Sequence, residues 1–150
     1  MHLTQHADYA LRVLIYLGLR RDRLVTIREV ARCYGISRNH LMKVVHRLGS
    51  WGYVSTLRGK GGGLRLAMPP EQINLGAVLR RAEEGFILVE CFDPVNNRCC
   101  IAPACLLKKA LYEALESFLA TLDRYTLADL LHNRRGLTSL LTLERRRDHR

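Results

Sequence analysis

Two apolar stripes of the same period follow one another in the first third of the chain. Ile27, Val30, Ala31 and Tyr34 recur at i, i+3, i+4 and i+7, and Leu41, Val44, Val45 and Leu48 repeat the pattern. That spacing puts four apolar side chains on one face of a helix each time. Thr26 and Glu29 have the arrangement of a capping box before the first stripe, and Gly35 can close it. Only Ile36 separates that glycine from Ser37, a good N-cap for the second stripe, which ends at Gly49. Two short amphipathic helices joined through a glycine predict a helix-turn-helix over about residues 26–49. An ordinary helical hairpin shares the pattern, so the exposed face decides. Opposite the second stripe stand Asn39, Lys43, His46 and Arg47, with Arg38 near its start. Amide and basic side chains on one face can reach base edges and phosphates. Upstream, Ala10, Leu11, Leu14, Ile15 and Leu17 behind Thr4 predict a helix over about 4–20, closed by the charged turn Arg20-Arg21-Asp22-Arg23.

Downstream, residues 53–67 have the form of a wing. Gly52–Leu57 reads as a strand and Leu64–Ala67 as its return, joined by Arg58-Gly59-Lys60-Gly61-Gly62-Gly63. Glycines permit a sharp hairpin, and Arg58, Lys60 and Arg65 surround it with positive charge. A phosphate-binding nucleotide loop would open a helix and carry Lys-Ser/Thr in order, and this run does neither. The charge distribution agrees. Residues 1–81 hold 14 Lys/Arg against 4 Asp/Glu, whereas residues 82–150 hold 10 of each, so the whole net charge of +10 lies in the first part. Trp51 and Tyr53 alone make no stacking platform for single-stranded RNA. Double-stranded DNA is therefore the expected polyanion. Ser37, Arg38, Asn39, His40, Lys43 and Arg47 of the second helix and Arg58, Lys60 and Arg65 of the wing are the candidate contacts.

The second part has a different character. After Pro69-Pro70 a modest helix spans about 74–82, and periodicity is lost between Cys91 and Cys105. From Ala104 to about Tyr125, Leu107, Leu111, Leu115, Phe118 and Leu122 form one long stripe, flanked by Ala110, Ala114 and Leu119. A helix of that length beside a small domain is expected to pack on a copy of itself, giving a homodimer that reads two half-sites. An intramolecular core helix is the alternative. Thr126 then caps a short helix over 127–131. The expected fold is mainly α (α+β): a winged helix-turn-helix domain at 1–81, a cysteine loop and dimerisation helix at 82–132, and a flexible tail at 133–150 ending in Arg145-Arg146-Arg147-Asp148-His149-Arg150. No run reaches the roughly 18 apolar residues of a membrane span. The start Met1-His2-Leu3-Thr4 lacks an export pattern, so a cytoplasmic protein is expected, nucleoid-associated when bound to DNA.

Four of the five cysteines, Cys91, Cys99, Cys100 and Cys105, fall in the neutral part, and Cys33 stands alone. Structural zinc usually takes paired Cys-x2–4-Cys knuckles or histidines, and no histidine lies between His46 and His132. Thiolates along one loop can converge on an iron–sulfur cluster. Zinc, a thiol switch or inert thiols remain open from spacing alone. No glutamate–histidine or nucleophile–base constellation supports an enzyme.

The chain resembles the NsrR family of nitric-oxide-sensing iron–sulfur repressors of bacteria, within the winged-helix regulators that include IscR. The resemblance is carried by Leu3-Thr4-x2-Ala7-Asp8-Tyr9-Ala10-Leu11-Arg12, by Ile36-Ser37-Arg38-Asn39-His40-Leu41-x-Lys43-Val44-Val45 and by Arg58-Gly59-Lys60-x-Gly62-Gly63. Cys99-x-Ile101-x-Pro103-Ala104-Cys105 and Tyr125-Thr126-Leu127-Ala128-Asp129-Leu130 complete it. It implies a 2Fe–2S or 4Fe–4S cluster held by Cys91, Cys99 and Cys105, with Cys99 preferred to Cys100 because the family places five residues between its last two cysteines. IscR-like members add a histidine three residues beyond the last cysteine, where this chain has Lys108. NsrR-like members recruit an aspartate from the partner subunit, and Asp8 matches that position. The implied activity is repression of nitric-oxide detoxification genes, relieved when nitric oxide attacks the cluster. A thiol-redox or zinc-dependent regulator, or a regulator of cluster-assembly genes, is the alternative.

Overall fold

Thr4, Thr26 and Ser37 each accept a backbone N–H three residues on, from Ala7, Glu29 and His40, and each starts a helix. These are α1 (Gln5–Leu19), α2 (Ile27–Tyr34) and α3 (Arg38–Ser50), in a computed structural model that describes residues 2–83 and 85–147. The chain turns from α2 into α3 at Gly35, and Ile36 N–H bonds back to the Ala31 carbonyl at 3.0 Å. Both stripes point inward: Val30 and Ala31 of α2 and Leu41, Val44, Val45 and Leu48 of α3 are buried. They meet Val13, Leu14 and Leu17 of α1 in one core. Each such aliphatic side chain contributes about 1.5–3 kcal/mol by leaving water.

The capping box expected at α2 forms only in part. Thr26 receives the Glu29 amide, but the Glu29 carboxylate serves a different network. It accepts the Tyr16 hydroxyl at 2.8 Å and both terminal nitrogens of Arg23, and the Arg20 guanidinium lies 3.7 Å away over the Tyr16 ring. Burial opposes ionisation of Glu29, yet the Arg23 and Tyr16 hydrogen bonds and the nearby arginines prevail and hold its pKa below the ordinary carboxylate value.

The hairpin follows α3. Strands β1 (Val54–Leu57) and β2 (Gly63–Leu66) pair antiparallel, with Val54 opposite Leu66 and Leu57 opposite Gly63. Gly59 and Gly61 take φ of 96° and 80° at its tip, a conformation that side-chain-bearing residues avoid. A third short segment widens the wing: Val25 exchanges both backbone bonds with Leu64, at 2.9 and 2.7 Å. That pairing ties the loop before α2 to the wing and was invisible in the periodicity.

Residues 70–72 make one 3-10 turn before α4 (Leu75–Ala82), which Asn74 caps by accepting from Ala77. The cysteine loop carries two more, at residues 90–92 and 102–104, and leads into α5 (Leu106–Asp123). A capping box of Thr126 and Asp129 starts α6 (Leu127–Leu130). The hydrophobic core extends past residue 81, because Leu127 joins Ile73, Val78 and the residues of α1–α3 in it. At the far end of α5, Arg80 holds Asp123 through two bonds of 2.5 and 2.8 Å, and Asn74 donates to the Asp123 carbonyl at 2.6 Å. A Cβ on Gly76 would sit 1.9 Å from the Asp123 carboxylate, so this close approach requires glycine.

The segment expected as a flexible tail is helical instead. Helix α7 (Arg134–Arg147) packs against α2, with Leu141 against the core. Leu137 and Leu141 give it a partly covered side, a signal that the neighbouring arginines masked in composition. The end of the expected tail, residues 148–150, lies outside the described residues.

Candidate nucleic-acid interface and metal centre

The buried stripe of α3 fixes what its other face presents. With Leu41, Val44, Val45 and Leu48 inward, Arg38, Asn39, Lys43 and Arg47 are exposed, as is Ser37 at the cap. His40 differs: it is half-buried, with its ring edge-on to Tyr9 of α1 at 5.0 Å. On the wing, Arg58 and Lys60 lie exposed at the tip, and Arg65 is exposed on β2. A basic helix face beside a basic hairpin matches a duplex in charge and shape.

Several arginines of the basic part do other work. Arg81 donates to the Trp51 carbonyl at 2.9 Å and lies over the Tyr53 ring, Arg80 holds Asp123, and Arg23 is committed to Glu29. Net charge alone therefore overstates the surface free for phosphate.

The cysteines divide sharply. Cys91, Cys99 and Cys105 line one pocket of about 240 Å³ with Val89, Ile101, Leu107 and Leu111, whereas Cys100 is exposed and absent from that lining. Cys105 is the N-cap of α5, and its Sγ accepts the Lys108 amide at 3.4 Å. This sulfur sits at the positive end of an 18-residue helix, where a negatively charged ligand is favoured. Among the described residues, no three His, Cys, Asp or Glu side chains stand close enough to hold a single metal ion. Three thiols lining one pocket make a soft donor set. Lys108 lines the same pocket and has no lone pair to offer when charged.

Cys33, the fifth cysteine, is buried on α2 and donates to the Leu141 carbonyl of α7 at 3.4 Å. Asp8 is not among the residues lining the cysteine pocket of its own chain. It lies on α1, paired with Arg12 through Nε at 2.9 Å and Nη2 at 2.7 Å. That hydrogen bond raises the Arg12 pKa further. The Arg12 guanidinium also faces the rings of Tyr9 and Tyr34, and the Tyr34 hydroxyl donates to the Arg12 carbonyl at 3.3 Å. Burial pushes the Tyr34 hydroxyl up to about 12, keeping it a neutral donor. The sequence did not show that Asp8 sits one contact from both Tyr9, which touches α3, and Tyr34, which ends α2. No helix among the described residues is long and apolar enough to cross a membrane.

Residues 3–133 match the model of the Rrf2 family, described as iron-dependent transcriptional regulators. The chain is 52% identical over 145 residues to the HTH-type transcriptional regulator NsrR of Bacillus subtilis, covering 96% of this chain and 99% of the relative. It is 51% identical over 142 residues to the protein of the same name from Geobacillus kaustophilus, covering 94% and 97%. Among solved structures, T. potens IscR superposes with a TM-score of 0.70 at 24% identity, covering 87% of this chain and 86% of that one. That last likeness concerns the fold, a mostly helical winged-helix regulator.

Proposed function

The chain belongs to the Rrf2 family of transcriptional regulators, in its NsrR branch, and from that membership we propose that it is a homodimeric repressor whose hold on operator DNA depends on an iron–sulfur cluster and is released by nitric oxide. The observation that carries the cluster reading is the sorting of the loop: three cysteines line one apolar pocket at the start of α5 and the fourth faces solvent.

Cys91, Cys99 and Cys105 would hold the cluster, with Asp8 of the partner subunit as the fourth ligand. When bound, the cluster supplies iron that nitric oxide can attack, most readily where an oxygen ligand is weaker than a thiolate. The chain's own residues set the rest. Val89, Ile101, Leu107 and Leu111 give the pocket its apolar lining, with Ile101 and Leu107 largely exposed in the single chain. To reach the other subunit Asp8 must leave Arg12, and losing that engagement lets it return. Arg12 borders Tyr9 and Tyr34, and Tyr9 packs on His40 of α3, so the exchange bears on the recognition helix. Two α3 helices read adjacent major grooves about 34 Å apart, with the wings beside them. Residues 1–81 act as the reader and 82–132 as the sensor and dimer helix.

Anaerobic purification tests this directly. The protein should carry iron and acid-labile sulfide with visible absorption. Cys91→Ala, Cys99→Ala and Cys105→Ala should each lose both, Cys100→Ala should keep them, and nitric oxide should weaken duplex binding. A colourless protein with stoichiometric zinc and no sulfide would sink the cluster in favour of a zinc-dependent regulator.

A further inference from the structure

Cys91 and Cys99 line one pocket, yet the chain between them makes a detour through residues 92–98. Residues 93–99 belong to no helix or strand, so the shape of that detour depends on bonds from side chains to backbone. Asp93 turns the chain at the far end. Its Oδ1 accepts the Val95 amide at 2.8 Å and the Asn96 amide at 3.1 Å, and its Oδ2 accepts the Asn96 side chain at 2.8 Å. Glu90 closes the base: its Oε1 accepts the Arg98 amide at 2.6 Å. The two residues joined by that bond each stand immediately before a candidate ligand, Glu90 before Cys91 and Arg98 before Cys99. Further bonds fix Cys99 itself. Its amide donates to Asn97 Oδ1 at 3.0 Å, and its carbonyl accepts the Ala102 amide at 3.2 Å. Glu90 also lines the cysteine pocket.

We propose that Glu90 is a positioning residue for the cysteine site: its bond to the Arg98 amide gathers the Cys91 and Cys99 thiols at one pocket before any metal arrives. Closing a loop costs chain entropy, and a charged acceptor on a backbone N–H is among the stronger bonds that can offset it. The proposal rests on the cluster reading above and deepens it, adding a residue that brings two ligands together without being one. Two other uses of the same carboxylate compete: direct coordination of iron, and a surface bond with no effect on the thiols.

Three full-length proteins separate these uses, all carrying C100A to remove the exposed thiol: the parent, E90Q and E90A. Glutamine keeps an acceptor oxygen for the Arg98 amide but loses the carboxylate; alanine keeps neither. All three should unfold at the same temperature, since the bond lies in an exposed loop. The first readout needs no metal. Reduced, metal-free protein is treated with dibromobimane, whose two bromides are displaced by two neighbouring thiolates, and the joined peptides are identified by mass spectrometry. E90A should lower the Cys91–Cys99 product about fivefold relative to the Cys99–Cys105 product, the population shift expected for one hydrogen bond, while E90Q stays near the parent. The second readout is reconstitution with ferrous iron and sulfide, followed by loss of the visible absorption to a chelator. E90A should lose it about fivefold faster, and E90Q at the parent's rate. An unchanged product ratio in E90A overturns the proposal, as does an E90Q protein whose ratio falls with E90A. An E90Q protein that joins its thiols as the parent does but holds no cluster makes Glu90 a ligand and overturns it too. If the parent forms no cluster while E90A still loses the Cys91–Cys99 product, the thiol positioning stands and the cluster reading has failed instead.

Discussion

Helices α3 and α5 are both amphipathic, yet only one is finished by its own chain. Every apolar position in the α3 stripe is buried, from Leu41 to Leu48. In α5, which is longer, only Leu115 and Leu119 are buried, while Leu107 keeps 66% of its surface and Tyr112 56%. Leu111 and Phe118 are half-covered, and Ala110 and Ala114 are open. The exposed face of α3 is polar and complements a polyanion. The exposed surface of α5 sets Leu107, Ala110, Tyr112 and Ala114 beside Lys109, Glu113 and Glu116, and its apolar part is what the proposed dimer would cover. The same helical period thus leaves two different surfaces, and what differs is which residue types are left outside once the core is made.

The strongest way to break this contrast is to charge the seam. Leu111→Glu should weaken dimer formation by about 4 kcal/mol, roughly a thousandfold, as removal of a central interface anchor does. Its unfolding temperature at high dilution should stay near the wild type's, because this face adds little to the intrachain core. Analytical ultracentrifugation measures the first and calorimetry the second; an undiminished dimer would mean α5 is not the seam. Glu29→Ala tests the opposite side of the comparison. It strips Tyr16, Arg20 and Arg23 of a shared partner and should cost about 2 kcal/mol of folding stability, leaving association unchanged. Because the folded pKa of Glu29 is lowered, its contribution is present above the ordinary carboxylate value and lost as pH falls through the folded one. Denaturant titrations from pH 7 down to 3 should therefore show wild type and variant converging at the acid end. The smallest effect belongs to Lys60→Ala. It should leave stability and association alone and reduce the salt slope of DNA binding by about one unit, equally for all sequences.

Much of this molecule is legible in the order of its residues. The stripes of α2 and α3, the glycine hairpin and the long leucine face of α5 are periodic signals set by residues near one another in sequence. What escaped depended on distant partners. Glu29 satisfied a local capping rule on paper, but Tyr16 and Arg23 offer its carboxylate stronger donors. The bridge from Val25 to Leu64 is too short to leave a pattern of alternation. Helix α7 was hidden by its arginines, because a run of like charge reads as solvated unless the surface under the leucines is known. The cysteines lie between these cases. Spacing identified a loop with soft ligands but could not separate Cys99 from its neighbour; only the folded loop turns one inward and the other out.

The clasp of Arg80 and Asn74 on Asp123 has a mechanical consequence. Helix α5 has 18 residues and so is a rod about 27 Å long. It is clasped at its Asp123 end, packed through Leu115 and Leu119 along its length, and capped by Cys105 at the other end. A tilt of about 2° around the clasp moves the far tip by about 1 Å at that length. In the proposed switch, a rearrangement at Cys105 would be passed along α5 to the clasp at Asn74, where the chain turns back toward the winged helix. In the proposed dimer, α5 would join two subunits and also link the cysteine loop to the winged helix within each.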